Sequence, residues 1–194
     1  MAKKVVLLLA EGFEEVEAVT PIDYLRRAGI EVTVAALGEK TAVTGSHGIK
    51  LTADTLLNGL SAGGKFELSG LDGVIVPGGL PGSVNLAASK EAQDFLKEMA
   101  SQGKLVCAIC ASPARVLAPL GLLAGKNFTC YPGEEKNIAA SVLAAASLKT
   151  DRVVEDGNLI TSRGAGTAAE FACAIIEKLS GGGEGKKLAE RVLL

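Results

Sequence analysis

Short unbroken apolar runs alternate along this chain with longer stretches whose apolar residues recur every three or four positions. Val5-Val6-Leu7-Leu8-Leu9 is the clearest run. It fits a strand covered on both faces, because a strand with one wet face alternates apolar and polar residues. Runs of this kind predict strands over Lys4–Leu9, Glu31–Ala36, Gly73–Val76, Lys104–Ile109 and Leu159–Ser162. Between them, Ala92, Phe95, Leu96 and Met99 fall at i, i+3, i+4 and i+7, and the stripe Ala168, Phe171, Ala172, Ile175, Ile176, Leu179 continues for three turns. Both predict amphipathic helices laid on a core. A further helix starts near Glu14 and contains Pro21, which has no N–H to donate and is expected to kink it. Strands alternating with helices predict β-α-β units around a mostly parallel sheet.

Two glycine clusters interrupt this pattern without dividing it. Ser61-Ala62-Gly63-Gly64-Lys65 reads as a flexible connection, and Gly181-Gly182-Gly183-Glu184-Gly185 separates the last helical stripe from a short tail. With 194 residues and 48% hydrophobic content, the chain can bury one substantial core, so a single domain over residues 1–194 is expected. Twenty Lys and Arg against 22 Asp and Glu give a formal charge of −2, with no long block of either sign. Neither nucleic acid nor an anionic membrane is therefore an expected partner. The early apolar run stops at Glu11, too short to span a bilayer, and four sparse cysteines do not resemble a secreted disulfide framework. A soluble, cytoplasmic chain is expected.

The predicted strand Lys104–Ile109 precedes a helix predicted to begin at Pro113, so Cys110-Ala111-Ser112 is the turn between them. Ligands of open α/β sheets bind at this carboxyl edge, and a helix start there favours the thiolate over the thiol. Cys107 and Cys110 have C-x-x-C spacing, but positions an odd number apart on a strand point to opposite faces, which argues against a redox pair. Cys130 and Cys173 read as packing residues. Pro77-Gly78-Gly79 ends another strand at the same edge, and the amides of Gly78, Gly79 and Ala111 suit an oxyanion pocket. Glu14, Glu15 and Glu17 occupy a first helical turn, where acidic residues ordinarily complement the helix dipole. Spacing groups Glu14 with Glu17 without saying which one turns inward. A carboxyl that did reach a thiolate would have its pKa raised and stand ready to shuttle a proton.

Other candidates are weaker. His47, the one histidine, sits in Gly45-Ser46-His47-Gly48 and reads as a solvated turn residue. Thr161-Ser162-Arg163-Gly164-Ala165-Gly166-Thr167 is another strand-to-helix loop at the productive edge, where Arg163, Ala165 and Gly166 are candidate pocket-wall residues. No metal is expected, since two cysteines and one histidine make no zinc site. No cofactor is expected either: no G-x-G-x-x-G follows the first strand and no P-loop occurs, so nucleotide binding is the weakest reading.

Taken in order, Glu14-Glu15-Val16-Glu17, Val76-Pro77-Gly78-Gly79, Ala108-Ile109-Cys110-Ala111 and Thr161-Ser162-Arg163-Gly164-x-Gly166-Thr167 resemble the DJ-one/ThiJ/PfpI superfamily, in particular its DJ-one and YajL branch, over nearly the whole chain. The resemblance implies a flavodoxin-like three-layer sandwich, usually homodimeric, with Cys110 as an oxidation-sensitive nucleophile and Glu17 as its hydrogen-bonded acid. It also implies glutathione-independent glyoxalase or protein deglycase activity on methylglyoxal-type dicarbonyls or glycated adducts, linked to oxidative-stress protection. The alternative it carries is a redox-sensing chaperone whose Cys110 oxidises to a sulfinate. Two departures narrow these expectations. Protease-like relatives have histidine directly after the nucleophile, where this chain has Ala111, so peptidase function is not expected. Several animal relatives have histidine where Tyr131 stands, and their peripheral cysteines align with Gly45 and Thr52.

Overall fold

A computed structural model describes residues 2–62 and 65–194. Seven strands form the main sheet in the order Val153–Asp156, Leu159–Ser162, Leu105–Ile109, Gly73–Val76, Lys4–Leu9, Glu31–Ala36, Thr55–Leu56. All neighbours are parallel except the edge pair Val153–Asp156 and Leu159–Ser162. The predicted strands stand, with Lys104 outside the fourth. Ser61–Ala62 and Lys65–Phe66 pair as a short hairpin, while Gly63 and Gly64 of the expected flexible connection lie outside the described residues.

Side-chain alternation in the first strand builds the two halves of the core. Val5, Leu7 and Leu9 face one layer and pack with helices α1 (Glu15–Arg27) and, near the C-terminus, the helix Ala168–Ser180. Val6, Leu8 and Ala10 face the other, where Leu86 of α2 (Gly82–Ala88) and Ala92, Phe95, Leu96 and Met99 of α3 (Lys90–Ser101) are buried. Five consecutive apolar residues are needed because both faces are covered. The result is a flavodoxin-like α/β sandwich. In the chain, short helices α4 (Ala140–Ala144) and α6 (Glu184–Arg191) precede and follow the stripe helix, numbered α5. Among the described residues no helix is long and apolar enough to cross a membrane.

Helix α1 runs through Pro21, whose missing N–H leaves the Glu17 carbonyl without its helical donor. The helix predicted from Pro113 is instead a single π turn, Pro113–Leu117, closed by the Ala118 amide on the Pro113 carbonyl at 3.0 Å. Pro119 follows with no N–H to extend it.

The chain enters the sheet at its centre and builds outward to Thr55–Leu56 before crossing to the other side of the first strand. The loops after Leu9 and Val76 meet at the carboxyl edge, where the Glu14 amide donates to the Gly78 carbonyl at 3.1 Å and the Gly82 amide to the Gly12 carbonyl at 3.0 Å. Packing of the α3 layer is tested by Phe95→Ala. Phe95 is fully buried, edge-on to Phe66 at 4.9 Å between ring centres. Urea denaturation should show a loss of about 3–5 kcal/mol with the slope unchanged; a loss of under about 1 kcal/mol would contradict this packing.

Candidate active site

Cys110 follows the strand Leu105–Ile109 with a φ of 65°, a left-handed conformation rare outside glycine. Its amide donates to the Ser162 carbonyl at 3.0 Å, and its carbonyl accepts from the Tyr131 amide at 2.8 Å. The Ser112 hydroxyl donates to the Pro77 carbonyl and ties this elbow to the neighbouring strand exit. Backbone anchored on both sides keeps the side chain at the crevice, where a right-handed residue would turn it away.

The Pro77-Gly78-Gly79 segment passes directly beneath. A Cβ on Gly78 would stand 2.6 Å from both Cys110 Cβ and Glu17 Oε2, and Gly79 has a φ of 93°. Both positions require glycine, one for space and one for backbone conformation. The backbone amides of Ala111 and Gly79 act on the Cys110 sulfur in the direction that favours its thiolate.

Glu17 is fully buried in the first turn of α1, beside the Cys110 thiol, which partly offsets the effect of burial on its carboxyl. The Gly78 amide donates to its Oε2 at 2.9 Å, while Oε1 is buried without a partner. Burial, reinforced by the charge of Glu14, raises its pKa from 4.5 to about 7. Glu14 is the N-cap, accepting from the Glu17 amide at 2.7 Å.

The thiol differs from expectation. Burial and the negative charge of ionised Glu17 push it upward, outweighing the two amides, and the helix start invoked in its favour is only a π turn. Cys110 and Glu17 consequently titrate as a pair. When Glu17 carries the shared proton, the opposing charge disappears and its O–H becomes a donor to sulfur.

Glu15 is also buried, yet its pKa falls to about 2. Burial opposes the fall; donors reverse it. His47 Nδ1 lies 2.8 Å from Oε2, the His47 amide donates to Oε1 at 2.6 Å, and Ser46 and Ile49 add longer bonds. The turn is formed as expected, between the paired strands Ala42–Thr44 and Lys50–Thr52, and the imidazole is 72% exposed. It is not remote from the chemistry, however. A cavity of about 420 Å³ is lined by Glu14, Ser46, His47, Gly79, Leu80, Cys110, Ala111, Tyr131 and Glu134.

Arg163, Ala165 and Gly166 do not line that cavity. Arg163 is drawn off by the Thr150 carbonyl at 2.7 Å, and Ala165 and Gly166 form an exposed 3-10 turn. Tyr131 and Glu134 take that side, Glu134 fixed by a bidentate pair with Arg115 at 2.6 and 3.2 Å. Cys107 and Cys130 are buried core residues, and Cys173 packs at the core margin.

The sequence matches the DJ-1/PfpI family over residues 3–178. The chain belongs to that family. It is 41% identical over 194 residues to Drosophila melanogaster protein dj-1beta, covering 100% of this chain and 98% of that one. The crystal structure of Drosophila DJ-1beta superposes with a TM-score of 0.88 at 42% identity, covering 100% and 99% of the two chains. Identity to the Arabidopsis thaliana DJ-1 homolog B is 43% over 191 residues, 98% of this chain but 41% of that protein, so the chain spans less than half the length of this plant relative. A structure of oxidized Toxoplasma gondii DJ-1 also matches, with a TM-score of 0.88 at 37% identity and 99% and 98% coverage.

The buried Glu17 carboxyl makes stability pH-dependent with a definite sign. Its folded pKa, about 7, exceeds the reference 4.5, so the folded chain keeps a proton the unfolded chain has lost. The resulting stability is present in full below pH 4.5 and is lost as pH rises to about 7. That loss is on the order of 3 kcal/mol. His47 titrates in both proteins and cancels when wild type is compared with Glu17→Gln. Urea denaturation should show wild type falling relative to the variant across this window; equal slopes would remove the protonated carboxyl.

Proposed function

We propose that this chain is a cofactor-free, cysteine-dependent enzyme acting on methylglyoxal-type dicarbonyls, of the glyoxalase or deglycase kind. The observation that supports it is a cavity lined by Cys110 on its left-handed elbow, Gly79 and Ala111, with the buried Glu17 carboxyl beside the thiol and outside the lining. The thiolate adds to the aldehyde carbon, and the carbonyl oxygen takes the Glu17 proton to give a hemithioacetal. Glu17, now ionised, removes the proton from that carbon and returns it to the adjacent one, producing a 2-hydroxyacyl thioester. Water releases the hydroxy acid and regenerates the thiol. The oxidation level of the whole molecule does not change, so neither metal nor redox cofactor is required. Glycated adducts would enter through the same thiolate addition. A homodimer working in a reducing cytosol belongs to the same proposal; nucleic acid and membrane do not.

A second reading is favoured by the uneven setting of the four cysteines: Cys110 alone among them lines the cavity. In that reading Cys110 is a redox sensor of a chaperone-like protein. Two molecules of peroxide in turn each transfer one oxygen to the sulfur and leave as water, by way of the sulfenate, and the resulting sulfinate accepts from the Gly79 and Ala111 amides and from protonated Glu17. The oxidized Toxoplasma relative is consistent with it.

Purified protein should form lactate from methylglyoxal without glutathione, and Cys110→Ala and Glu17→Gln should each lower the rate by about 10²-fold or more. Lactate formation that survives both substitutions sinks the enzyme reading. For the sensor, mild peroxide followed by peptide mass measurement should find oxygen first on Cys110. Earlier uptake by Cys107, Cys130 or Cys173 would exclude it.

A further inference from the structure

The proposed mechanism leaves unused a buried carboxylate, Glu15, that holds two residues of the cavity wall, Ser46 and His47. Glu15 and Glu17 are neighbours on one helical turn, but Glu15 faces the Gly45–Ile49 turn. Its carboxylate is 5% exposed and accepts from the backbone of His47 and Ile49, the Ser46 hydroxyl and the His47 ring. The turn is shaped around it: a Cβ on Gly45 would overlap the Glu15 carboxylate. A buried carboxylate on Nδ1 orients an imidazole and fixes which nitrogen is presented beyond it. His47 Nε2 is left without a hydrogen-bond partner among the described residues, and the ring borders the cavity that holds Cys110.

We propose that His47 is a second proton-transfer residue of this site, acting on the carbonyl next to the one Cys110 attacks, and that Glu15 is its positioning residue. The inference rests on the dicarbonyl reading above. In the hemithioacetal the C–H bond at the attacked carbon breaks toward Glu17, and its electron pair forms the double bond to the neighbouring carbon. The electrons of the second carbonyl move onto its oxygen, which takes the proton of the His47 imidazolium. The enediol then returns: the hydroxyl on the sulfur-bearing carbon gives its proton to His47, and Glu17 delivers its proton to the neighbouring carbon. The product is the 2-hydroxyacyl thioester, both residues regain their starting states, and no co-reactant is consumed. Without His47 the negative charge on the second oxygen would develop close to Glu14 and Glu134, which line the same cavity. The attraction of Glu15 also raises the His47 pKa, keeping the ring in its donor form to higher pH.

Lactate formation from methylglyoxal by wild type and His47→Ala, with free imidazole added to the variant, tests the assignment. Iodoacetamide labelling of Cys110 serves as a substrate-independent check of the elbow. The expected result is a kcat lower by about 10²-fold with KM within about threefold, partial recovery with imidazole, and labelling within about twofold of wild type. Glu15→Gln should move the limb of the kcat/KM profile that is absent in His47→Ala to lower pH, with Glu14, Glu17, Cys110, Tyr131 and Glu134 unchanged around it. Wild-type turnover that His47→Ala leaves intact overturns the role of His47 and spares the dicarbonyl reading. A loss of kcat that imidazole does not restore, accompanied by slowed Cys110 labelling, assigns His47 to loop structure and overturns it as well. Absence of lactate from wild type, with Cys110 labelled normally, overturns both.

Discussion

A cysteine held in left-handed backbone geometry is the constraint on which the site depends. For an L-residue this conformation costs roughly 1–2 kcal/mol, and it persists because the surrounding structure over-determines it. Here the Ser162 carbonyl and Tyr131 amide hold Cys110 from two different segments, while Ser112, two residues on, donates to the Pro77 carbonyl. The elbow brings Cys110 so near the next strand exit that only glycine fits at Gly78. That same bare backbone lets the Gly78 amide reach Glu17. Conformation, close approach and hydrogen bonding are thus one arrangement seen from three residues.

Glu15 and Glu17 show how finely one helical turn partitions charge. Both carboxyls are buried, and burial alone would raise both. Glu15 has a whole turn of donors folded about it and stays ionised. Glu17 has one amide, a thiol and an oxygen with no partner, so it retains a proton near neutrality. The number of donors at Glu15 and the greater depth of Glu17 together decide which carboxyl is a structural anion and which can exchange protons.

Much of this architecture is legible in the amino-acid sequence. Runs such as Val5–Leu9 mark doubly covered strands, and the stripes at Ala92–Met99 and Ala168–Leu179 mark the helices that cover them. Cys110 and the Gly78-Gly79 pair are recognisable because punctuation at a strand exit is local. The inward turn of Glu17 was not: residues 14 and 17 share a helical face, and only the ordered family motifs separate them. Other features depend on contacts between distant segments. The Glu15 donors come from a hairpin that carries no helical or strand period of its own. Tyr131 and Glu134 displace Arg163, Ala165 and Gly166 from the cavity because Arg163 finds the Thr150 carbonyl and Glu134 finds Arg115. The Pro113 segment looks like a helix start, but Pro119 ends it after one wide turn.

The Ser162 carbonyl that receives the Cys110 amide belongs to a strand far downstream, paired with Leu105–Ile109 in parallel register. A parallel neighbour cannot be supplied by a tight hairpin; it must arrive after a long crossover. During synthesis, therefore, the segment bearing the cysteine emerges from the ribosome well before its anchor exists. Until the later strand docks, the Cys110 amide lacks the Ser162 carbonyl, and the elbow is held from fewer sides on an unfinished sheet. The place of Cys110 beside the buried Glu17 carboxyl is acquired only when the later strand docks, which couples the setting of the thiol to successful folding.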